Sequence, residues 1–250
     1  MIRRFLDKFS SKAEKSYFLA LGDSIISDCF PGPGLGVASL LCKNRDDLFP
    51  DWSSKDLESL WPGIKRIGYT RTGVRLAEIE AQIRLLPERL RCRVGLLSVG
   101  GNDLLNLDRI PVPGDPWFGE FEQRYRTLWD TLQRRFPSSH WLVCNVYDPS
   151  DGSGQLPGWA ERGNPARPHL IASLNHLNEA IARVSGEQMV DVHSACLGHG
   201  WSREKPLWFQ MDIEPTVEGA SQIRSLLWQR IIGGDRKSTR LNSSRLVISY

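Results

Sequence analysis

The feature that most constrains this chain is a repeated alternation. Short apolar runs are each followed by a longer segment whose apolar residues recur at helical spacing. The runs are Tyr17-Phe-Leu-Ala-Leu21, Ile64-Lys-Arg-Ile-Gly68, Val94-Gly-Leu-Leu-Ser-Val99, Trp141-Leu-Val-Cys-Asn-Val146 and Met189-Val-Asp-Val192. Helical segments are expected over 37–48, 74–86, 118–136, 168–184 and 216–232. In the second of these Leu76, Ile79, Ile83 and Leu86 share a face. In the third, Phe121, Tyr125, Leu128, Trp129 and Leu132 do. Strands separated by helices must run parallel, because each crossover returns the chain to the same edge. The expected architecture is therefore an α/β fold, a three-layer α/β/α sandwich around a five-stranded parallel sheet. Residues 147–167, rich in Gly, Pro, Asp and Ser, read as a long loop, and 193–215 as a second long connection.

Most of the chain carries no net field. The formal charge of +3 comes entirely from 235–250, which holds four basic residues and one acidic; the remainder balances at 28 and 28. That tail resembles the translation of a sequencing-adapter sequence joined to a reading frame, and it is set aside as non-native. A balanced remainder offers no basic surface for nucleic acid. Residues 1–16 read as an N-terminal extension with five basic and two acidic residues. It lacks the apolar core of a secretion signal. Nowhere does an apolar run approach the roughly 20 residues of a membrane span. The five cysteines are scattered, with no C-x-x-C pair, which argues against a disulfide framework or a cysteine zinc site. A cytoplasmic location, no integral membrane segment and no cofactor are expected.

Chemistry is expected just beyond the carboxyl ends of the strands. Three short motifs fall there: Gly22-Asp23-Ser24 after the first run, Thr72-Gly73 after the second, and Gly100-Gly101-Asn102-Asp103 after the third. Each alone is an ordinary turn or cap signature. Together they bring a hydroxyl, an amide side chain and main-chain N–H groups to one crevice, the parts needed to attack and stabilise an acyl carbon.

In this combination the chain resembles the SGNH/GDSL hydrolases, over roughly Phe18 to Trp228. Leu21-Gly22-Asp23-Ser24 is similar to their first block, Gly73 to their second, and Gly100-x-Asn102-Asp103 to their third. The resemblance implies a flavodoxin-like sandwich and an esterase or lipase-like activity on a small-molecule ester or thioester. It also implies Ser24 as nucleophile, with an oxyanion hole from the Ser24 and Gly73 N–H groups and the Asn102 side chain. Asp23, Gly101 and Asp103 would support them.

The last block departs from the family's Asp-x-x-His. Here Met211-Asp212-Ile213-Glu214-Pro215 puts Glu214 where the histidine should stand and Met211 in place of its aspartate. Two solutions for a base remain open. Glu214 can serve directly if burial raises its pKa. Alternatively a histidine beyond the fifth strand, His199 ahead of His193, takes the proton with Glu214 or Asp212 orienting it. The sequence reading favours His199, because Gly198 and Gly200 suit a loop that bends into a pocket. A catalytically degenerate member that only binds its ligand is the alternative. A nucleotide or flavin binder is disfavoured by the lack of any glycine-rich phosphate loop.

Overall fold

A computed structural model describes residues 16–161, 168–201 and 207–245, with the side chains of 159, 160, 168 and 234–245 left out. Five strands, β1 (Tyr17–Gly22), β2 (Lys65–Thr70), β3 (Cys92–Ser98), β4 (His140–Cys144) and β5 (Met189–Val190), form one parallel sheet in the order β2-β1-β3-β4-β5. The expected sandwich is therefore the observed one.

Strand β1, paired with β2 on one side and β3 on the other, shows why the sheet has helices on both faces. Phe18, Leu19, Ala20 and Leu21 are all fully buried, as expected of a parallel strand covered above and below. Successive side chains point to opposite faces. Leu19 and Leu21 pack into a cluster with Ile79, Tyr125, Leu128 and Leu177, whereas Phe18 and Ala20 pack with Val37, Leu41, Ile223 and Leu227. The first face is covered by α1 (Leu76–Leu85), α2 (Trp117–Arg135) and α3 (Pro168–Ser185), the second by Val37–Cys42 and α4 (Val217–Arg245). On β3, Gly95 leaves room for the Trp141 ring of β4, which lies only 2.3 Å from where a Cβ would sit.

Several boundaries differ from the sequence expectation, each for a local reason. The helix expected over 37–48 stops at Cys42. Beyond it the buried Asn44 takes other partners, donating to Asp46 and to the Phe49 carbonyl and accepting from Arg224. The loop expected over 147–167 includes a short helix, Pro157–Glu161. The connection over 193–215 opens with another, Val192–Cys196, and contains a small antiparallel hairpin of β6 (Phe209–Gln210) and β7 (Glu214–Pro215). The last helix continues past Ile232 to Arg245, into the stretch set aside as a tail. The N-terminal extension up to residue 15 and residues 246–250 lie outside the described residues.

Among the described residues no helix is long and apolar enough to cross a membrane, and no group of three or more His, Cys, Asp or Glu stands ready to hold a metal. All five cysteines are free thiols.

Candidate active site

The chain steps from β1 to β2 on one side and from β3 through β4 to β5 on the other, so the strand order reverses between β1 and β3. A crevice opens at such a switch point beyond the strand ends. Gly22 lets the two strands close up there: at φ +156° its missing Cβ would lie 2.4 Å from the Ser98 carbonyl oxygen. The chain then turns into a short 3-10 helix, Ser24–Ile26. Its cap is Asp23, whose carboxylate accepts from the Ile25 N–H at 3.2 Å and from the Ser98 hydroxyl at 3.1 Å. Ser24 is thus fixed by the residue before it and by the neighbouring strand.

The Ser24 hydroxyl, only 3% exposed, donates to Oε1 of Glu214 at 3.1 Å. Glu214 is itself buried, at 6% exposure, and its Oε2 has no hydrogen-bond partner. An ionised carboxylate is costly to bury with one oxygen unsatisfied. Accordingly, desolvation raises the Glu214 pKa above its ordinary value, partly offset by the bond from Ser24. The Asp23 carboxyl is pushed up to about 7, chiefly by burial, with the charge of Glu214 adding to the rise against its own hydrogen bonds.

Glu214 stands at the start of β7, and its position depends on a hairpin the sequence does not announce. The turn between β6 and β7 holds Met211 and Asp212 at φ +46° and +71°, left-handed values unusual for non-glycine residues. Tertiary contacts hold it there. The Asp212 carboxylate accepts from the Gly158 N–H at 2.6 Å, its carbonyl accepts from the Trp201 indole at 2.6 Å, and the Tyr147 hydroxyl donates to the Ile213 carbonyl. The Tyr147 ring packs on Phe209 with centroids 4.5 Å apart. Tyr147 follows β4 and was not singled out from sequence; only its place beyond a strand end hinted at a role.

The oxyanion candidates meet from the other side. The Asn102 amide donates to the Val74 carbonyl at 3.2 Å, and the Asp103 carboxylate accepts from the Leu76 N–H at 3.1 and 3.3 Å. These bonds tie the start of the short helix Gly101–Leu105 to the segment leading into α1, immediately after Gly73. Gly73 is exposed and has φ +75°. An amide nitrogen has two protons to give, so the bond to Val74 orients Asn102 and leaves a second N–H. Burial pushes the Asp103 carboxyl up to about 6, against the bond from Leu76. Gly101 packs against Val146, with 3.2 Å available where a Cβ would sit. Asn102 and Glu214 line one open cavity of about 300 Å³, with Phe30, Leu105, Met211 and Ile213.

The two histidines weighed as bases have other neighbours. The His199 ring lies flat on Trp208, centroids 3.7 Å apart at 5°. His193 Nδ1 meets the Val146 carbonyl at 3.0 Å, and its backbone N–H donates to Asn145. The hydroxyl of Ser24 goes to the carboxylate of Glu214, the carboxylate that the sequence reading ranked behind His199 as a base. Sequence reasoning weighted the chemistry of imidazole and had no view of the hairpin that delivers the carboxylate.

A family model described as GDSL-like Lipase/Acylhydrolase matches residues 20–221. No curated protein matches the chain. Among solved structures, an extracellular lipase from Streptomyces rimosus is similar with a TM-score of 0.58 and 19% identity, over 86% of this chain and 98% of that one. A phospholipase A1 from Streptomyces albidoflavus NA297 is similar with a TM-score of 0.57 and 18% identity, over 87% and 100%. An acetylxylan esterase from Geobacillus stearothermophilus gives 0.57 and 14%, over 86% and 93%.

Proposed function

The chain belongs to the GDSL-like lipase/acylhydrolase family, a family of ester hydrolases, and from that premise we propose that it cleaves a carboxylic ester or thioester through an acyl-enzyme on Ser24, with Glu214 as the base. The observation that carries this reading is the buried hydrogen bond from the Ser24 hydroxyl to Glu214. A serine hydroxyl is a weak nucleophile until a neighbour takes its proton. A carboxylate does this best when its pKa is raised toward the working pH, and burial shifts Glu214 in that direction.

In the first half-reaction the Ser24 oxygen attacks the ester carbonyl carbon while its proton passes to Glu214. The carbonyl oxygen becomes an oxyanion, held by the N–H groups of Ser24 and Gly73 and the second N–H of Asn102. Collapse breaks the bond to the leaving alcohol or thiol, which takes the proton from Glu214. In the second half, water gives a proton to Glu214 and attacks the acyl-enzyme, and Ser24 leaves with that proton. Asp23 and Ser98 keep the nucleophile's turn in place throughout. This division of labour dispenses with the family's histidine. His199, His193 and Asp212 then serve as packing and loop-anchoring groups.

The test is hydrolysis of a short-chain nitrophenyl ester by the protein and by Ser24→Ala, alongside labelling with a fluorophosphonate probe. Turnover and labelling that both vanish in Ser24→Ala support the proposal. Equal turnover in the two proteins removes Ser24 as nucleophile. Neither turnover nor labelling in the unaltered protein points to a ligand-binding, degenerate site.

A further inference from the structure

Beside the open cavity lies a second, narrower and less open one. The two share Leu105 and Ile213 as lining residues. The narrower chamber is otherwise walled by Leu104, Leu156, Leu170 and Leu174, all buried, and holds about 30 Å³. Three polar residues also border it: the Tyr147 hydroxyl is spent on the Ile213 carbonyl, and Asp148 and Ser150 spend their hydrogen bonds on their own loop. Ser150 donates to Asp148 at 2.6 Å and accepts from the Gly154 N–H at 2.9 Å, and the Gly152 N–H donates to Asp148 at 2.6 Å. A chamber of this kind lacks the two to four polar partners that hold a water molecule, and it favours an apolar guest.

Resting on the proposed hydrolase reading, we infer that this chamber receives the end of the substrate's acyl chain, admitted between Leu105 and Ile213, and that it limits the enzyme to short acyl groups. The placement follows from what each wall also touches. Leu105 closes the short helix that begins with Gly101 and Asn102, the proposed oxyanion donor. Ile213 directly precedes Glu214, the proposed base. An acyl carbon held between Asn102 and Glu214 therefore has these two apolar residues as neighbours, with the chamber next in line. Its length is set by volume. A water-sized sphere needs about 10–15 Å³ of such space, so the chamber holds the terminal one or two carbons of an acyl group of about four carbons. A fatty acyl tail has no room and stays in the open cavity, in contact with water.

The chain-length profile tests this directly, with nitrophenyl esters from acetyl to decanoyl. The unaltered protein should peak near butyryl in kcat/KM and fall at least about tenfold by decanoyl, since each methylene kept from burial forfeits roughly a factor of four. Leu156→Ala should lengthen the preference, raising the hexanoyl-to-butyryl ratio about fourfold or more, and Leu156→Phe should shift it toward acetyl. A profile that climbs steadily to decanoyl, or Leu156 variants that fold and keep the original ratio, overturns the inference. A readout independent of turnover separates it from the nucleophile assignment. In methyl-labelled Ser24→Ala protein, butyramide should shift the Leu156, Leu170 and Leu174 methyl resonances. Shifts confined to Met211 and other residues of the open cavity overturn the chamber assignment, even where Ser24 is confirmed. Absence of turnover in the unaltered protein, with the chamber methyls still shifting, overturns the hydrolase reading alone.

Discussion

The two walls of this site are built in different ways. The wall bearing Ser24, Gly73 and Asn102 hangs from the carboxyl ends of three neighbouring parallel strands, where the register of β1 against β2 and β3 sets the position of each motif. The wall bearing Glu214 hangs from a two-residue strand pair with a left-handed turn at Met211 and Asp212, kept in shape by Tyr147, Gly158 and Trp201. The first is rigid because the sheet is; the second is rigid only while its tertiary bonds hold. Under the proposed mechanism, catalytic precision rests on joining a robust element to a delicate one, and perturbations on the two sides should differ in kind.

On the sheet side a perturbation should remove chemistry and leave the fold. Asn102→Ala deletes the proposed oxyanion donor and should lower kcat by roughly 100- to 1000-fold, with the thermal midpoint lowered only modestly; steady-state kinetics beside a melting curve checks both. A kcat within threefold of the original would take Asn102 out of the oxyanion hole.

On the hairpin side a perturbation should loosen the base. Tyr147→Phe removes only the hydroxyl that reaches the Ile213 carbonyl. Turnover should drop roughly 10- to 100-fold as the Glu214 carboxylate loses its placement, with about 1 kcal/mol of stability lost. Kinetics and chemical denaturation measure the two separately. Unchanged turnover would mean that the hairpin needs no such tie, and the contrast between the walls would weaken.

The last expected effect is on stability rather than turnover, and concerns pH and the turn that carries Ser24. The folded protein holds the Asp23 carboxyl at about 7 and Asp103 at about 6, above the ordinary 3.8. Between these values the folded state binds more protons than the unfolded one, so both groups favour folding at low pH. That contribution is lost as pH rises from about 4 to about 7. Asp23→Asn should flatten part of the decline in melting temperature over that window, and thermal melts at pH 4, 5, 6 and 7 read it out. A decline as steep in the variant as in the original would show that Asp23 does not carry it.

The same division governs what could be read from the sequence. The strand positions, the long helices between them and hence the three strand-end motifs follow from apolar periodicity, most plainly at β1 and β3, which are buried continuous apolar runs, and least at the more exposed β2. Gly22, Ser24, Gly73 and Asn102 are legible for that reason. The hairpin is not. Phe209-Gln-Met-Asp-Ile-Glu-Pro215 offers neither alternation over a useful length nor a glycine or asparagine at its turn, and the left-handed Met211 and Asp212 are imposed from outside. Glu214 was visible as a departure from a family pattern, but its bond to Ser24 came only with the folded hairpin. His199 looked apt because flanking glycines suit a loop that bends into a pocket, whereas its ring lies in a stack with Trp208. The early end of the helix after Val37 had the same origin: the bonds of Asn44 to distant Arg224 and to its own loop leave no periodic trace.

The most direct measurement is the pH dependence of kcat/KM for Glu214→Gln beside His199→Ala, both confirmed folded. As the proposed base, Glu214 must be ionised to accept the Ser24 proton. Activity of the original protein should therefore rise with pH along a limb centred above the ordinary carboxylate value, and be lost below it. Glu214→Gln should cost roughly 100- to 10,000-fold and abolish that limb, while His199→Ala keeps both the limb and activity within about tenfold. An active Glu214→Gln protein with an intact limb, and an inactive His199→Ala protein, would contradict the assignment of the base.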